Sequence, residues 1–197
     1  MSNLKENLHG KSPEFRFKAL LPELAKIQYG LSSEGLYTLV GGGVGLDLLV
    51  AKYLPGTQFI KHSDVDLYIP INLRGKILDW MSNNGFQVDL LSFINAVHAV
   101  VYGNEVIYDL FSINGIPNNP RVPDASYAGI LVECHNPLNY YTDAAEAIIN
   151  IESDTVLYGR YKFSVMDAIS QLSVFKTFSL LEGTRRRDVE ILTKLVE

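Results

Sequence analysis

The sequence predicts an α/β or α+β domain in which helices flank a small mixed β-sheet and a helical region follows at the C-terminus. Residues 37–70 read in order as a strand, a tight turn, a helix, a loop and a second strand. Three strand-like runs follow at 86–93, 96–102 and 106–113, and Gly103-Asn104 between the last two indicates a hairpin. From residue 164 onward, two capped segments indicate helices.

Length and composition are those of an ordinary globular protein. The 197 residues are enough for one mixed domain, and hydrophobic residues make up 47% of them against 20% charged residues. The net charge of −5 provides no strong attraction to nucleic acid or to an anionic membrane surface. The N-terminus lacks the apolar core of a signal peptide, and no apolar run is long enough to span a bilayer.

The chain has a single cysteine, Cys134, which excludes an internal disulfide and a cysteine zinc cluster. Such cysteine usage is typical of a reducing compartment, so a cytoplasmic location is expected.

The N-terminal segment is expected to be helical. Ser12 is a suitable cap, and Pro13 stands at the first helical position. Pro22 is expected to kink or restart this helix, and Gly30 marks its expected end. Apolar residues recur at helical spacing between these signals, at Phe15, Ala19, Leu20, Leu24 and Ile27.

The remaining elements are predicted from similar signals. A helix follows the glycine turn and stops at Pro55-Gly56, and a short helix over residues 73–83 ends before Gly85. Ser164 to Asp167 has the form of a helix cap. The other predicted strands are residues 130–133 and 156–163. The other predicted helices are residues 142–150, a helix that runs from this cap to residue 182, and residues 184–195.

The chemistry is expected at the glycine turn and the strand after it. Gly41-Gly42-Gly43 brings backbone N–H groups to the start of a helix, where an anion can bind. Asp64 and Asp66 are two residues apart on a predicted strand, so both side chains point to one face. Two carboxylates beside a phosphate-binding turn indicate Mg²⁺ and a nucleotide.

These residues resemble the signature of the nucleotidyltransferase superfamily of DNA polymerase beta type. The resembling motif consists of Gly42-Gly43, then Asp47, then the run His62-Ser63-Asp64-Val65-Asp66-Leu67. The lincosamide and aminoglycoside nucleotidyltransferases are the most similar branch, and the nucleotidyltransferase toxins of toxin–antitoxin pairs are a second. The resemblance covers roughly residues 36–113 and extends weakly to the C-terminus. Ile60 stands where the antibiotic-modifying branch usually has Arg.

The resemblance implies a nucleotidyltransferase fold and an enzyme that moves a nucleoside monophosphate from a nucleoside triphosphate, expected to be ATP, to an acceptor hydroxyl. Residues 1–126 would form the catalytic core, and residues 127–197 a mainly helical region that closes the cleft. The two regions are also compatible with one continuous domain. Two Mg²⁺ ions are the implied cofactors.

The resemblance also implies roles for individual residues. Asp64 and Asp66 would bind both metal ions, and a third carboxylate on a neighbouring strand would complete the site. Asp109 fits that role best, and it would also help to accept the proton of the acceptor; Asp89 is the alternative. The nucleotide would be bound by Gly42, Gly43, Ser63, Lys176 and Arg187. Asp188 is expected to hold the two C-terminal helices together.

Several structural alternatives stay open for these residues. Ser63 is about equally compatible with a turn or capping role, and Asp47 with an exposed helix position. Lys176 is slightly better explained by an ion pair at the edge of the core. Two of these three residues, Ser63 and Lys176, are therefore weaker candidates than the acids.

A small antibiotic-like acceptor is favoured, because the run ending in Asp64-Val65-Asp66 resembles the antibiotic-modifying branch. Transfer RNA or a protein hydroxyl is the alternative that the toxin branch implies, and the low overall charge disfavours RNA. A non-catalytic nucleotide-binding or interaction module of the same fold is the third hypothesis. The sequence leaves the oligomeric state open.

Overall fold

Most of the strands in the described part of the chain form one mixed sheet. A computed structural model of the chain describes residues 12–57, 64–89, 98–103, 107–113, 126–128, 148–173 and 186–197. Its strands are β1 Leu39–Val40, β2 Asp64–Pro70, β3 Gln87–Asp89, β4 His98–Tyr102, β5 Ile107–Ile113, β6 Ser126–Ala128, β7 Ile148–Asn150, β8 Ser153–Tyr158 and β9 Tyr161–Met166. Seven of them form a sheet in the order β3-β4-β5-β2-β1-β9-β8, and β6 pairs with β7.

The sheet is mixed, as predicted. β1 pairs with β9 and β2 pairs with β5 in parallel, whereas the other described pairs are antiparallel. The helices are α1 Pro13–Ser33, α2 Gly42–Tyr53, α3 Arg74–Asn83 after a 3₁₀ turn, and α4 Arg186–Val196; residues 168–173 are also helical. One apolar core joins all four named helices to the sheet, with Leu24, Leu48, Ile77, Val65 and Leu192 fully buried in it.

α1 begins as predicted but is longer than predicted. The Ser12 Oγ accepts a hydrogen bond from the Phe15 N–H at 3.2 Å, and Pro13 is the first helical residue. The helix continues through Pro22 to Ser33, so the expected restart is wrong and the helix ends three residues after Gly30. Pro22 itself is exposed, and burial of other residues of the helix, such as Leu20 and Leu24, stabilises α1 across it. A Cβ at Gly30 would overlap the ring of Trp80, so this glycine allows α1 to approach α3 closely.

The C-terminal half differs from prediction in two places. The single strand expected over 156–163 is a hairpin of β8 and β9, because Gly159 adopts a φ of 58° and reverses the chain. Residues 148–150 form β7 instead of the end of a helix, because they pair with β6. The residues of the expected strand at 130–133 lie outside the described part of the chain, as do 142–147 and 174–185.

β8 and β9 belong to the same sheet as β1 to β5, so the described chain on both sides of residue 126 shares one sheet. The domain boundary at that residue stays a prediction. The expected helix cap near Ser164 lies slightly later, because Ser164 is part of β9. Asp167 is the capping residue, and its Oδ1 accepts a hydrogen bond from the Ser170 N–H at 2.8 Å.

Two sets of side chains fix β9 and β8 to the helices. The buried Gln28 of α1 donates to the carbonyls of Thr38 and Ser164 at 2.9 and 2.8 Å, and its Oε1 accepts from the Ser164 N–H at 2.9 Å. At the C-terminal end of α2, Lys52 and Tyr53 each donate to the Asp154 carboxylate at 2.7 Å. β9 and β8 are therefore tied to α1 and α2 respectively.

Candidate active site

The Asp-x-Asp pair lies at the start of β2, on a strand whose direction is fixed by burial. Val65, Leu67 and Ile69 on one face are fully buried in the core. Asp64 and Asp66 lie on the opposite face, as the alternation of side chains along a strand requires. Burial on that face falls toward the beginning of the strand, from buried Tyr68 through partly buried Asp66 to exposed Asp64. The two acids therefore line the accessible end of a surface whose other end is covered.

The glycine turn rests on this acidic face. The Gly41 N–H donates to the Asp66 carbonyl at 3.0 Å, and the Gly45 N–H donates to the Gly41 carbonyl at 2.9 Å as α2 begins. A Cβ at Gly41 would overlap the Tyr68 ring, and one at Gly42 would overlap the Asp66 carboxylate. The start of α2 and the Asp-x-Asp pair are thus in direct contact.

The start of α2 favours negative charge. Its cap residue, Gly41, contributes no side-chain hydrogen bond, and Gly42 and Gly43 are the first helical residues. The first N–H groups of a helix lack partners within the helix, and the helix dipole makes its N-terminus partially positive. The Asp66 carboxylate lies in this field, and Gly43 is the more accessible of the two first residues. An anionic ligand would be stabilised at the same place.

The strand register distinguishes the two candidates for a third acid. Asp109 on β5 is the register partner of Asp66 on β2, whereas Asp89 pairs with Val100, which itself pairs with Asp109. Neighbouring strands are about 4.8 Å apart, so position 109 lies one strand from Asp66 and position 89 lies roughly 14 Å away, three strands along. The side chains of Asp109 and Asp89 are outside what the structure describes. The register favours Asp109, and its role stays a prediction.

The other predicted residues are only partly described. His62, Ser63 and Lys176 lie outside the described residues. Arg187 is exposed in the first turn of α4, a helix that packs against α2. Asp47 is buried on α2, with 2% of its surface exposed, so the alternative of an exposed helix position is wrong.

Two buried glutamines support the site and were not singled out from the sequence. Gln171 is 1% exposed, donates to the Met166 carbonyl at 2.8 Å, and lies against Gly45 in the first turn of α2. Gln28 holds the residue before β1, the strand that leads into the glycine turn. Each glutamine stands where the spacing of the apolar residues around it predicts another apolar residue. A polar residue at such a position is the sequence signal by which the two glutamines could have been identified.

The donor set suits a hard divalent cation. Carboxylate oxygens are the ligands that Mg²⁺ prefers, and Asp64, Asp66 and the residue at position 109 would supply them from adjacent strands. Gly42 leaves the space in which the Asp66 carboxylate lies. Within the part of the chain that the structure describes, no group of three His, Cys, Asp or Glu side chains is assembled for a metal. The Asp109 carboxylate falls outside that part, so the three-acid site stays a prediction.

None of the helices in the described ranges has both the length and the apolar character needed to cross a bilayer.

The fold is similar to that of solved antibiotic-modifying enzymes. A crystal structure of ANT(2″)-Ia in complex with adenylyl-2″-tobramycin matches 91% of this chain and 90% of its own, with a TM-score of 0.58 and 14% identity. A solution structure of the antibiotic-resistance factor ANT(2″)-Ia matches 91% of this chain and 85% of its own, with a TM-score of 0.62 and 13% identity.

A crystal structure of the lincosamide antibiotic adenylyltransferase LnuA with lincomycin bound matches 92% of this chain and 97% of its own. The TM-score is 0.54 and the identity 16%. No family model matches the chain, and no curated protein matches its sequence. At these identities the shared property is the fold.

Proposed function

Because the chain has a nucleotidyltransferase fold, we propose that it transfers a nucleoside monophosphate from a nucleoside triphosphate to an acceptor hydroxyl. The acceptor oxygen bonds to the α-phosphorus, the bond from that phosphorus to the β-phosphate oxygen breaks, and pyrophosphate leaves. ATP is the proposed donor, and the proposed acceptor is a small antibiotic-like molecule. The fold supports the class of reaction, and the contact between the acids of β2 and the start of α2 supports the proposed site.

One observation carries the proposal most directly. The acids of β2 and the first turn of α2 are in contact, through the Asp66 carboxylate and Gly42. A site for a nucleoside triphosphate needs carboxylates for a cation and N–H groups for phosphate oxygens within reach of one another. Register also places Asp109 beside Asp66. Two adjacent strands, β2 and β5, and the start of α2 would supply the required groups.

Asp64, Asp66 and Asp109 are the residues that would hold Mg²⁺. When bound, Mg²⁺ neutralises charge on the triphosphate and lowers the pKa of an attacking hydroxyl. The chain would bind the phosphates through the N–H groups of Gly42 and Gly43, with Ser63, Lys176 and Arg187 as further proposed contacts. Asp109 would accept the proton that the acceptor hydroxyl loses.

The acceptor class is supported by the neighbours' ligands and by charge. Structures that share the fold include those of ANT(2″)-Ia with adenylyl-2″-tobramycin and of LnuA with lincomycin. The net charge of −5 disfavours a polyanionic acceptor, because RNA binding draws on clustered positive charge. A small hydroxyl-bearing molecule avoids that repulsion.

The test is transfer of label from each α-labelled nucleoside triphosphate, with Mg²⁺, to separate acceptors. The acceptors are aminoglycosides, lincosamides, bulk transfer RNA and the protein itself. Asp64→Ala and Asp66→Ala are the inactive variants, and Asp79→Ala, on the exposed face of α3, is the matched control for loss of one negative charge. The proposal predicts label on a small molecule with the wild type and the control only.

Other outcomes reject defined parts of the proposal. Label on transfer RNA or on the protein would replace the small acceptor by a toxin-type substrate. Transfer that persists in Asp64→Ala and Asp66→Ala would remove the acids from the mechanism. Nucleotide bound without Mg²⁺ and without transfer to any acceptor would support a non-catalytic module of the same fold.

A further inference from the structure

Two glycines of the chain have nearly the same φ in different surroundings. Gly42 has a φ of 57° and Gly159 has a φ of 58°, both in the left-handed region that disfavours other residues. A Cβ at Gly159 would meet nothing within 4 Å. A Cβ at Gly42 would overlap the Asp66 carboxylate. A comparison of alanine substitutions at the two glycines therefore separates the requirement for a positive φ from the requirement for an empty space beside the backbone.

We infer that Gly42 is a positioning residue, whose missing side chain leaves the space in which the Asp66 carboxylate is held. The consequence for metal binding rests on the proposed function, whereas the steric relation does not. Glycine at this place was expected from the sequence to let a triphosphate approach the backbone. The structure gives it a second role, toward the acid of the neighbouring strand.

The surroundings decide which group moves when a side chain is added. The backbone of Asp66 is fixed by the hydrogen bond from Gly41 at 3.0 Å and by its fully buried neighbours on β2, Val65 and Leu67. The turn is fixed by the bond from Gly45 to the Gly41 carbonyl at 2.9 Å. The carboxylate is the end of a rotatable side chain, so it is displaced. The Asp66 Cβ, which would lie 3.0 Å from the added Cβ, requires a backbone shift of only a few tenths of an ångström.

The position of the carboxylate matters because it lies at the start of α2. There it is stabilised by the partial positive charge of the helix N-terminus. It also lies on the same face of β2 as Asp64. If the Asp66 side chain rotates away from Gly42, its carboxylate leaves the start of α2. The proposed metal site then loses one ligand although all of its acidic residues are still present.

The first experiment measures binding of Mn²⁺, as a spectroscopic substitute for Mg²⁺, by electron paramagnetic resonance without nucleotide. We expect Gly42→Ala to raise the Kd for Mn²⁺ about tenfold or more, the range seen when groups that orient metal ligands are changed. Gly159→Ala is the matched control and leaves the Kd unchanged. A role in phosphate approach alone predicts wild-type Mn²⁺ binding in Gly42→Ala, because no phosphate is present.

The second experiment is a double-variant cycle in Tm without metal. Gly159→Ala is expected to lower Tm by about 2–8 °C, the cost of a left-handed alanine in a chain of this size. Gly42→Ala lowers Tm further, and Asp66→Ala reduces this excess because the overlapping carboxylate is gone. Asp66→Ala leaves the effect of Gly159→Ala unchanged. If Gly42→Ala does not fold alone, a cooperative transition in the double variant gives the same support.

The two experiments separate the inference from the proposed function. Additive Tm changes for Gly42→Ala and Asp66→Ala overturn the inference, whatever the result for metal binding. If Gly42→Ala does not fold and the double variant does not fold either, the inference is also overturned. Wild-type Mn²⁺ binding by Asp66→Ala overturns the proposed metal site, and the Tm cycle then decides the steric relation alone.

Discussion

β1 has two neighbouring strands that do different things. On one side, β2 carries Asp64 and Asp66 and contacts the glycine turn. On the other side, β9 and β8 are held by Gln28 and by the cluster around Asp154. The first side presents accessible acids, whereas on the second the side chains of Gln28 and Asp154 bond to groups within the fold. We therefore expect the proposed chemistry and the stability of the fold to depend on different sets of side chains.

The largest effect is expected on the β2 side. Asp66→Ala should lower the transfer rate by about 10³-fold, roughly 4 kcal/mol of transition-state stabilisation, because a proposed metal ligand is lost. Tm should change by only a few degrees, since the residue is partly exposed and the core is intact. Steady-state transfer and calorimetry on the same samples measure both quantities. A large loss of Tm with unchanged transfer would reverse the division of roles.

The opposite result is expected for Gln28→Ala on the β9 side. Three hydrogen bonds to backbone groups would be lost in a buried place, which costs about 3 kcal/mol of unfolding free energy and roughly 10 °C in Tm. Gln87→Ala, at an exposed glutamine of β3, is the control. Transfer per folded molecule, measured well below Tm, should stay within about twofold of wild type. Loss of transfer without loss of stability would place Gln28 in the chemistry.

Local patterns predicted the elements that carry the site. The spacing of Asp64 and Asp66, with apolar residues beside them, predicted that β2 is a strand and that both acids lie on one face of it. The glycine turn predicted the start of α2. These features depend on neighbours in sequence. The fold class could also be predicted, because alternating strand and helix signals are local.

Features that depend on distant partners could not be predicted. Gly30 resembles a helix end, yet it is needed for contact with Trp80, fifty residues away. Gln28 bonds to Ser164, 136 residues along the chain. The preference for Asp109 over Asp89 follows at first only from the family resemblance, and the strand order, which no local pattern contains, supports it independently.

A smaller effect is expected at the contact between α2 and β8. Asp154→Asn should lower the free energy of unfolding by about 1 kcal/mol, because the ion pair with Lys52 is only partly exposed. Glu14→Gln is the control, since its ion pair with Lys18 is exposed at both residues. Urea unfolding of the three proteins at neutral pH measures the difference. Equal losses in both variants would show that burial of the pair contributes nothing.

The smallest effect is the pH dependence of that contribution. Partial burial raises the pKa of Asp154, but hydrogen bonds from Lys52 and Tyr53 outweigh it and hold the pKa below its ordinary value of 3.8. A carboxyl whose pKa is lower in the folded state stabilises the fold fully above its unfolded pKa. That stabilisation is lost as the pH falls through the folded pKa.

Urea unfolding of wild type and Asp154→Asn between neutral pH and about pH 3 tests this sign. The difference in unfolding free energy should be constant at neutral pH and should begin to shrink near pH 4, the region of an ordinary aspartate pKa. A difference that grows as the pH falls would mean that the folded state raises this pKa. In that case the Lys52 and Tyr53 contacts would not outweigh burial, and β8 would depend on α2 through apolar packing alone.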